Sequence, residues 1–468
     1  MSIKNSTLLI AALLTLLIFF TTRAKGENLS DTTIKNVKRI VGKIIVVGNE
    51  ITDEDIITRE LETKTGDSLD LSILQEDLNR LANLQLFQKI EIFPGERSKD
   101  TIDIIISVVE SFYILPIPQA GFQGGNLKRF WAGLNTKWRN FAGRNITLGL
   151  NFGIGFEPFV SFSYTNPWIG KNLHLFTSLD VSYSKKVNKS ISTSNIEQTQ
   201  INKDDLAEFD LNNYAGSLTI GKFFGRYISI AESFAYNVIT TSSHMPGSTI
   251  STTGKDRYAT LETTFNFDNR DIISYSTHGT YLNGKYIKYG IFNKDINFNR
   301  IRVDARKFIP IKLARNYSVI LCSRLYSSLA FGGNIPNYLF ENFGFSKVLR
   351  GWDDYVIDGE NLFGNFNEIR IPVIKPFIIE GKDHVVIKKL PLLKDIVYRY
   401  GLYLTLFYDV GGVWNKTDNI KYTRFKSGYG IGLNLLLPMD FIFRIDMAFR
   451  HVESKYKTNF VYSLEASF

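Results

Sequence analysis

From residue 114 onward the chain alternates apolar and polar positions in runs of about ten residues, each closed by a turn. In Tyr398–Asp409 one face carries Tyr398, Tyr400, Leu402, Leu404, Leu406 and Tyr408, while the other carries Arg399, Gly401, Tyr403, Thr405, Phe407 and Asp409. Successive side chains of a strand point to opposite faces, so such a strand is greasy on one side and largely polar on the other. A soluble sandwich would bury the greasy face under a second sheet. A membrane barrel turns it to lipid and keeps its polar face around the lumen. Asn459–Phe468 repeats the pattern with Phe460, Tyr462, Leu464, Ala466 and Phe468. A lipid-facing strand that finishes on an aromatic residue points to a bacterial outer-membrane barrel.

The pattern predicts sixteen antiparallel strands: 114–124, 130–139, 146–155, 158–166, 174–187, 212–224, 227–241, 256–269, 279–290, 296–309, 317–331, 364–373, 398–410, 428–437, 441–450 and 459–468. If the first rises from the periplasm, the long polar connections 188–211, 242–255, 332–363 and 411–427 fall outside the cell. The tight turns near Gly225 and Pro438 fall inside, the usual asymmetry of such barrels. The inner connection 374–397 is long for its place and is expected to form a short helix or a periplasmic extension.

Residues 40–113 read differently. Ile40–Val47 is a β-branched run ending at the turn signal Gly48-Asn49. Thr52, with Asp55 three residues on, is expected to cap a helix reaching Thr63. Asp70 opens a second helix, in which Leu71, Leu74, Leu78, Leu81 and Leu84 recur at helical spacing. Strands follow at Gln88–Phe93 and Ile102–Glu110, joined by the turn Pro94-Gly95-Glu96, and Ser111–Tyr113 is expected to act as a hinge. The βααββ order, with Gly48-Asn49, Thr63–Gly66, Leu86-Phe87 and Glu110, resembles a POTRA domain. That resemblance implies a small α+β periplasmic module that meets substrates by adding a strand to its sheet edge, where unpaired backbone groups invite an extended peptide.

Mean hydropathy is −0.06 over 468 residues, which excludes a helical membrane bundle but not a barrel. The sustained apolar run Leu8–Phe20 follows Lys4 and precedes Thr22-Arg23-Ala24, so residues 1–24 are expected to be a secretory signal peptide and 25–39 a short amino-terminal segment. The net charge of +9 is unevenly spread: residues 28–113 hold 10 Lys and Arg against 16 Asp and Glu, whereas 114–468 hold 42 against 29. A basic barrel suits lipopolysaccharide head groups or a positive lumen. A pI near 9.2 also raises nucleic-acid binding, but no basic cluster sits with stacking aromatics in a nucleic-acid motif. The lone Cys322 allows no internal disulfide. His174, His244, His278, His384 and His451 are scattered without metal-ligand spacing, and the glycines of Gly428–Gly432 lack the following helix of a phosphate loop. Neither an enzyme nor a cofactor protein is expected.

The decisive motif follows the eleventh strand: Lys347-Val348-Leu349-Arg350-Gly351-Trp352, then Gly364–Pro372, then Leu406–Trp414. With Asn140-Phe141-Ala142-Gly143, Thr165-Asn166-Pro167-Trp168 and Asp268-Asn269-Arg270-Asp271, it resembles the BamA/TamA family of outer-membrane assembly proteins. The resemblance implies that the sixth outer loop folds back and sets an Arg-Gly-aromatic tip against the inner wall. Period two independently puts Glu368, Arg370 and Asp409 on the lumenal face. Arg350 is therefore expected to bridge Glu368 and Asp409, with Gly351 supplying a bend and Trp352 the aromatic. The first strand holds Pro116, Pro118 and Gly121, so the seam against the last strand, ending at Phe468, is expected to be weak.

The family implies an assembly factor that folds and inserts unfolded outer-membrane protein clients through a lateral gate, with periplasmic accessory proteins as further partners. The alternative is a polypeptide pore of the two-partner secretion type. Those usually carry two POTRA domains and a plug helix, where this chain has one POTRA domain. A third reading is a barrel that anchors a periplasmic interaction domain.

Overall fold

The computed structural model describes residues 39–463 apart from 99, 123–129, 171–172, 189–208, 242–247, 292, 316, 344–348, 353–356, 381–382, 384–396, 419–424, 438–441 and 453–454. The expected signal peptide and Phe468 lie outside the described residues.

The amino-terminal unit runs β1 (Ile40–Val47), α1 (Glu54–Thr58), α2 (Leu71–Asn83), β2 (Phe87–Glu96) and β3 (Thr101–Glu110). The sheet order is β1-β3-β2, with β1 parallel and β2 antiparallel to the central strand. Two helices cover one face, and Val41, Ile57, Leu81, Leu86, Ile104 and Ile106 form the core between them. The other face is open, with Ile45, Val47 and Phe93 exposed. Asp70 caps α2 as expected, accepting from the Ser72 amide at 2.8 Å.

Two local expectations fail for identifiable reasons. Thr52 does not cap α1; Asp53 holds that position without a side-chain bond, because the Thr52 hydroxyl is committed to Glu110. The helix also stops at Thr58 rather than Thr63, since the amides of Glu62 and Thr63 donate to the buried Asp77 carboxylate at 2.7 and 3.1 Å. Pro94-Gly95-Glu96 is not a turn but the end of β2, an edge strand where a missing N–H is tolerated.

The remaining chain forms a single sheet of sixteen strands, each next to its neighbour in sequence. They span Ile114–Phe122, Phe130–Phe141, Ile146–Gly155, Phe159–Ile169, Leu175–Asn188, Phe209–Phe224, Ile228–Thr241, Lys255–Asp268, Gly279–Ile291, Phe298–Ala314, Tyr317–Gly332, Asn361–Glu380, Val397–Trp414, Lys426–Leu436, Ile442–Val452 and Lys455–Ser463. Alternation sorts their faces: Leu321, Leu325, Ile369, Leu406, Tyr408 and Ile431 stand exposed, while Cys322, Glu368, Phe407 and Asp409 are buried inside.

Strands twelve and thirteen continue past the predicted ends, pairing Ile374 with Leu402 and Glu380 with Val397. Part of the 374–397 connection is thus a two-stranded ribbon, bulged between Pro372 and Phe377, where Pro372 and Pro376 break the ladder. Of its remaining residues, 381–382 and 384–396 lie outside the described ones.

The domain and the barrel are clamped together rather than hinged. Glu110 accepts from the amides of Ile51 and Thr52, at 3.1 and 2.7 Å, and from the Thr52 hydroxyl. Thr52 Oγ1 also meets the Tyr113 hydroxyl at 2.9 Å and accepts from Asn140 Nδ2 at 2.9 Å. Gly143, at φ +73°, lies so close to the Ile51 carbonyl that a Cβ would sit 2.2 Å from it, and its own carbonyl accepts from the Asp53 amide. Further along the helical side, the Arg59 guanidinium lies over Trp168, Glu62 pairs with Arg226, and Asn83 Nδ2 donates to the Asp271 carbonyl at 3.1 Å. The helices therefore face the periplasmic ends of strands two through nine.

Candidate functional site

The loop between strands eleven and twelve turns back into the barrel. A short ladder, Glu341–Phe343 against Ile357–Gly359, braces it. Between these strands Leu349, Arg350 and Trp352 are buried against the inner wall.

Arg350 is 2% exposed and engages two strands at once. Its Nε and Nη2 donate to the two Asp409 carboxylate oxygens at 2.6 and 2.7 Å, and Nη1 donates to Glu368 Oε2 at 2.9 Å. The fork is matched donor for acceptor, the arrangement for which guanidinium is suited and ammonium is not. Its flat face lies 3.8 Å from the Phe407 ring centroid. Glu368 and Asp409 come from adjacent strands whose registry pairs Glu368 with Phe407 and Phe366 with Asp409. The alternation of side chains sends both carboxylates inward.

Gly351 adopts φ +90°, a backbone state that side chains resist, and Arg450 Nη1 donates to its carbonyl at 2.6 Å. Trp352 Nε1 donates to the Ser427 carbonyl at 2.9 Å, and the Arg450 guanidinium lies over its ring. The whole tip is thus held by strands twelve to fifteen.

Several residues of this site escaped the sequence reading. Asp446 stands 3.9 Å from Arg350 Nη1 and 3.0 Å from Arg444, so arginines 350, 370 and 444 meet carboxylates 368, 409 and 446, with Arg450 a fourth buried cation beside the tip. Pairing of this kind is what burial demands, because an isolated ion there is costly. Period two placed Arg370 inward, but its role appears only in three dimensions: Nε donates to Glu368 Oε1 at 2.9 Å and Nη1 to the Ser276 carbonyl at 3.2 Å. Ser276 belongs to the turn after strand eight, whose Tyr275 enters the lumen, lies tilted against the Tyr403 ring and accepts from Asn434 Nδ2 at 3.0 Å. Gly428 makes room for the tip, since a Cβ there would lie 1.9 Å from the Arg350 carbonyl. The available signal was the row of small residues at the start of strand fourteen. Among the described residues, no group of His, Cys, Asp and Glu could hold a metal ion.

The seam residues are placed by registry. Pro116, Pro118 and Gly121 pair along the first strand with Thr136, Leu134 and Trp131 of the second. The first and sixteenth strands stand at the two ends of the sheet order, and among the described residues no ladder joins them.

Comparison with known proteins fits this architecture. The Omp85 superfamily domain matches residues 140–466, and the surface antigen variable number repeat, a POTRA model, matches 40–111. A Treponema pallidum (strain Nichols) protein is 28% identical over 153 residues, 31% of this chain but only 18% of the relative; its description, outer membrane protein assembly factor, is itself provisional. The fold is similar to that of BamA from Haemophilus ducreyi lacking POTRA domains 1–3, with TM-score 0.52 and 18% identity over 91% of this chain and 84% of that one. It is also similar to CdiB from Escherichia coli, with TM-score 0.60 and 12% identity over 91% and 75%. Sheet, docked βααββ unit and inward loop define an outer-membrane barrel with a periplasmic POTRA domain. The chain belongs to the Omp85 superfamily.

Proposed function

We propose that the protein folds and inserts outer-membrane β-barrel clients through the seam between its first and last strands. The observation that carries this reading is the sheet order, which sets the first and sixteenth strands at its two ends and so makes them the joint of the barrel. Were that joint to part, each backbone group bared to lipid would cost several kcal/mol, and the opened edge would be a strong acceptor for an incoming strand. The resident loop, locked by Arg350 to Glu368 and Asp409, braces strands twelve to fifteen, next to the sixteenth, while the joint itself parts. Pro116 and Pro118 withhold donors at alternate positions of the first strand and so weaken its pairing. No nucleotide or covalent step is required: client burial and strand pairing supply the driving force, and the barrel lowers a kinetic barrier. Lipopolysaccharide around the barrel and periplasmic accessory proteins complete the proposed surroundings.

The rival reading, a polypeptide pore, requires a passage through the lumen. The inward loop and Tyr275 both occupy that space. Paired cysteines, one in Ile114–Phe122 and one in Lys455–Ser463, decide between the two. Oxidative closure of the seam is expected to abolish client insertion into liposomes, and reduction to restore it. Undiminished insertion by the closed form refutes the gate.

A further inference from the structure

A second buried cluster binds the same loop at its root, two to three strands along the sheet from Asp409. Glu341 opens the short ladder that braces the loop and is only 3% exposed. Its Oε1 accepts from Arg302 Nε and Nη2 at 3.1 and 2.8 Å, from Arg300 Nη1 at 3.3 Å and from Ser328 Oγ at 2.9 Å. Arg300 and Arg302 lie on strand ten and Ser328 on strand eleven. Arg300 Nη2 also donates to the Glu360 carbonyl at 3.3 Å, which ties the returning limb of the loop to the same arginine. Around this cluster the preceding segment packs an apolar layer: Ile335, Tyr338, Leu339 and Phe340 against Tyr258 and Phe298.

The two attachments are mirror images in charge. At the tip the loop brings the cation and the wall the carboxylates, whereas at the root the loop brings the carboxylate and the wall the cations. We propose that Glu341 is a positioning residue, a second anchor that fixes the root on strands ten and eleven so that Arg350 is delivered to strands twelve and thirteen. The inference rests on the reading of the loop as a fixed inner post. A loop tied at its tip alone has a long tether and many non-productive arrangements; a second tie removes most of them. The reversed polarity also prevents interchange, because Glu341 at the tip site would face Glu368 and Asp409.

The test uses the full-length protein in liposomes, with a cysteine placed by Ile335→Cys, a position 7% exposed beneath the anchored root. Labelling by a membrane-impermeant maleimide reads release of the root, against the buried native Cys322 as internal reference. Glu341→Gln and Arg302→Gln are each expected to raise labelling at position 335 by about tenfold, as loss of charge-assisted bonds predicts. The two changes together are expected to raise it no further, because both remove the same attachment. Unchanged labelling in Glu341→Gln, or a combined effect near the product of the singles, overturns the proposal. Retained heat-modifiable mobility in Glu341→Gln shows that the barrel is folded. Client insertion is measured on the same samples: loss of protection with undiminished insertion upholds the anchor and refutes instead the need for a fixed post.

Discussion

At the scale of single residues, the tip of the inward loop is a problem in buried charge. Arg350→Ala leaves Glu368 and Asp409 facing each other, both buried, so about 3–5 kcal/mol of attachment is expected to be lost. Gly428→Ala tests the same contact without touching a charge, since its methyl group collides with the Arg350 carbonyl. That overpacking is expected to cost about 1–3 kcal/mol. Both variants are expected to lower the temperature at which the folded barrel unfolds on semi-native gels, and Arg350→Ala to lower it further. Parental behaviour in either contradicts the lock. The meeting of Arg350 with Glu368 and Asp409 was legible because strand alternation assigns faces from sequence alone. Asp446 and Arg444 were not, because nothing local reveals which distant strand completes a charge network. Glu341 lay deeper still, in a segment with no period to read.

At the scale of elements, the join between domain and barrel is a weld made from the strands' own ends. Burial pushes the Tyr113 hydroxyl up to about 12, so it remains protonated and able to donate at any ordinary pH. A group whose folded value is raised stabilises fully below its unfolded value, near 10 for tyrosine, and that contribution fades as pH climbs towards about 12. The clamp is therefore expected to hold unchanged from mildly acidic to mildly basic conditions, as read by hydrogen exchange at the Ile51 and Thr52 amides. Glu110→Gln is expected to speed that exchange at every pH, by about 1–3 kcal/mol of lost charge-assisted bonding. Exchange that is already fast in the parent counts against the weld. The order βααββ and the strand succession were readable from periodicity and turn chemistry. The clamp was not, because Thr52 reads locally as a helix cap and only the folded chain shows that Glu110 and Asn140 claim it. The same holds for Gly143 and the Asp268–Asp271 turn: the sequence marked them as motifs, and contact with the POTRA domain explains Gly143 and Asp271.

At the scale of the molecule, the lumen is occupied where its two ends approach. Tyr275 from the periplasmic side and Trp352 from the outer side belong to one apolar cluster, with Phe308, Phe366 and Tyr403. Cys322 sits in that cluster, fully buried and in register with Glu368. Its thiol is expected to resist alkylation in the folded protein and to react only once the sheet is lost. Labelling that precedes unfolding would show a lumen more open than this packing permits. The POTRA domain has a consequence of its own. Its helices are turned toward the periplasmic ends of the strands, so the side offered to arrivals is the bare pleat with Ile45, Val47 and Phe93. Under the proposed function, an extended chain arriving from below would find sheet rather than helix, and only a chain not yet folded could add a strand to it.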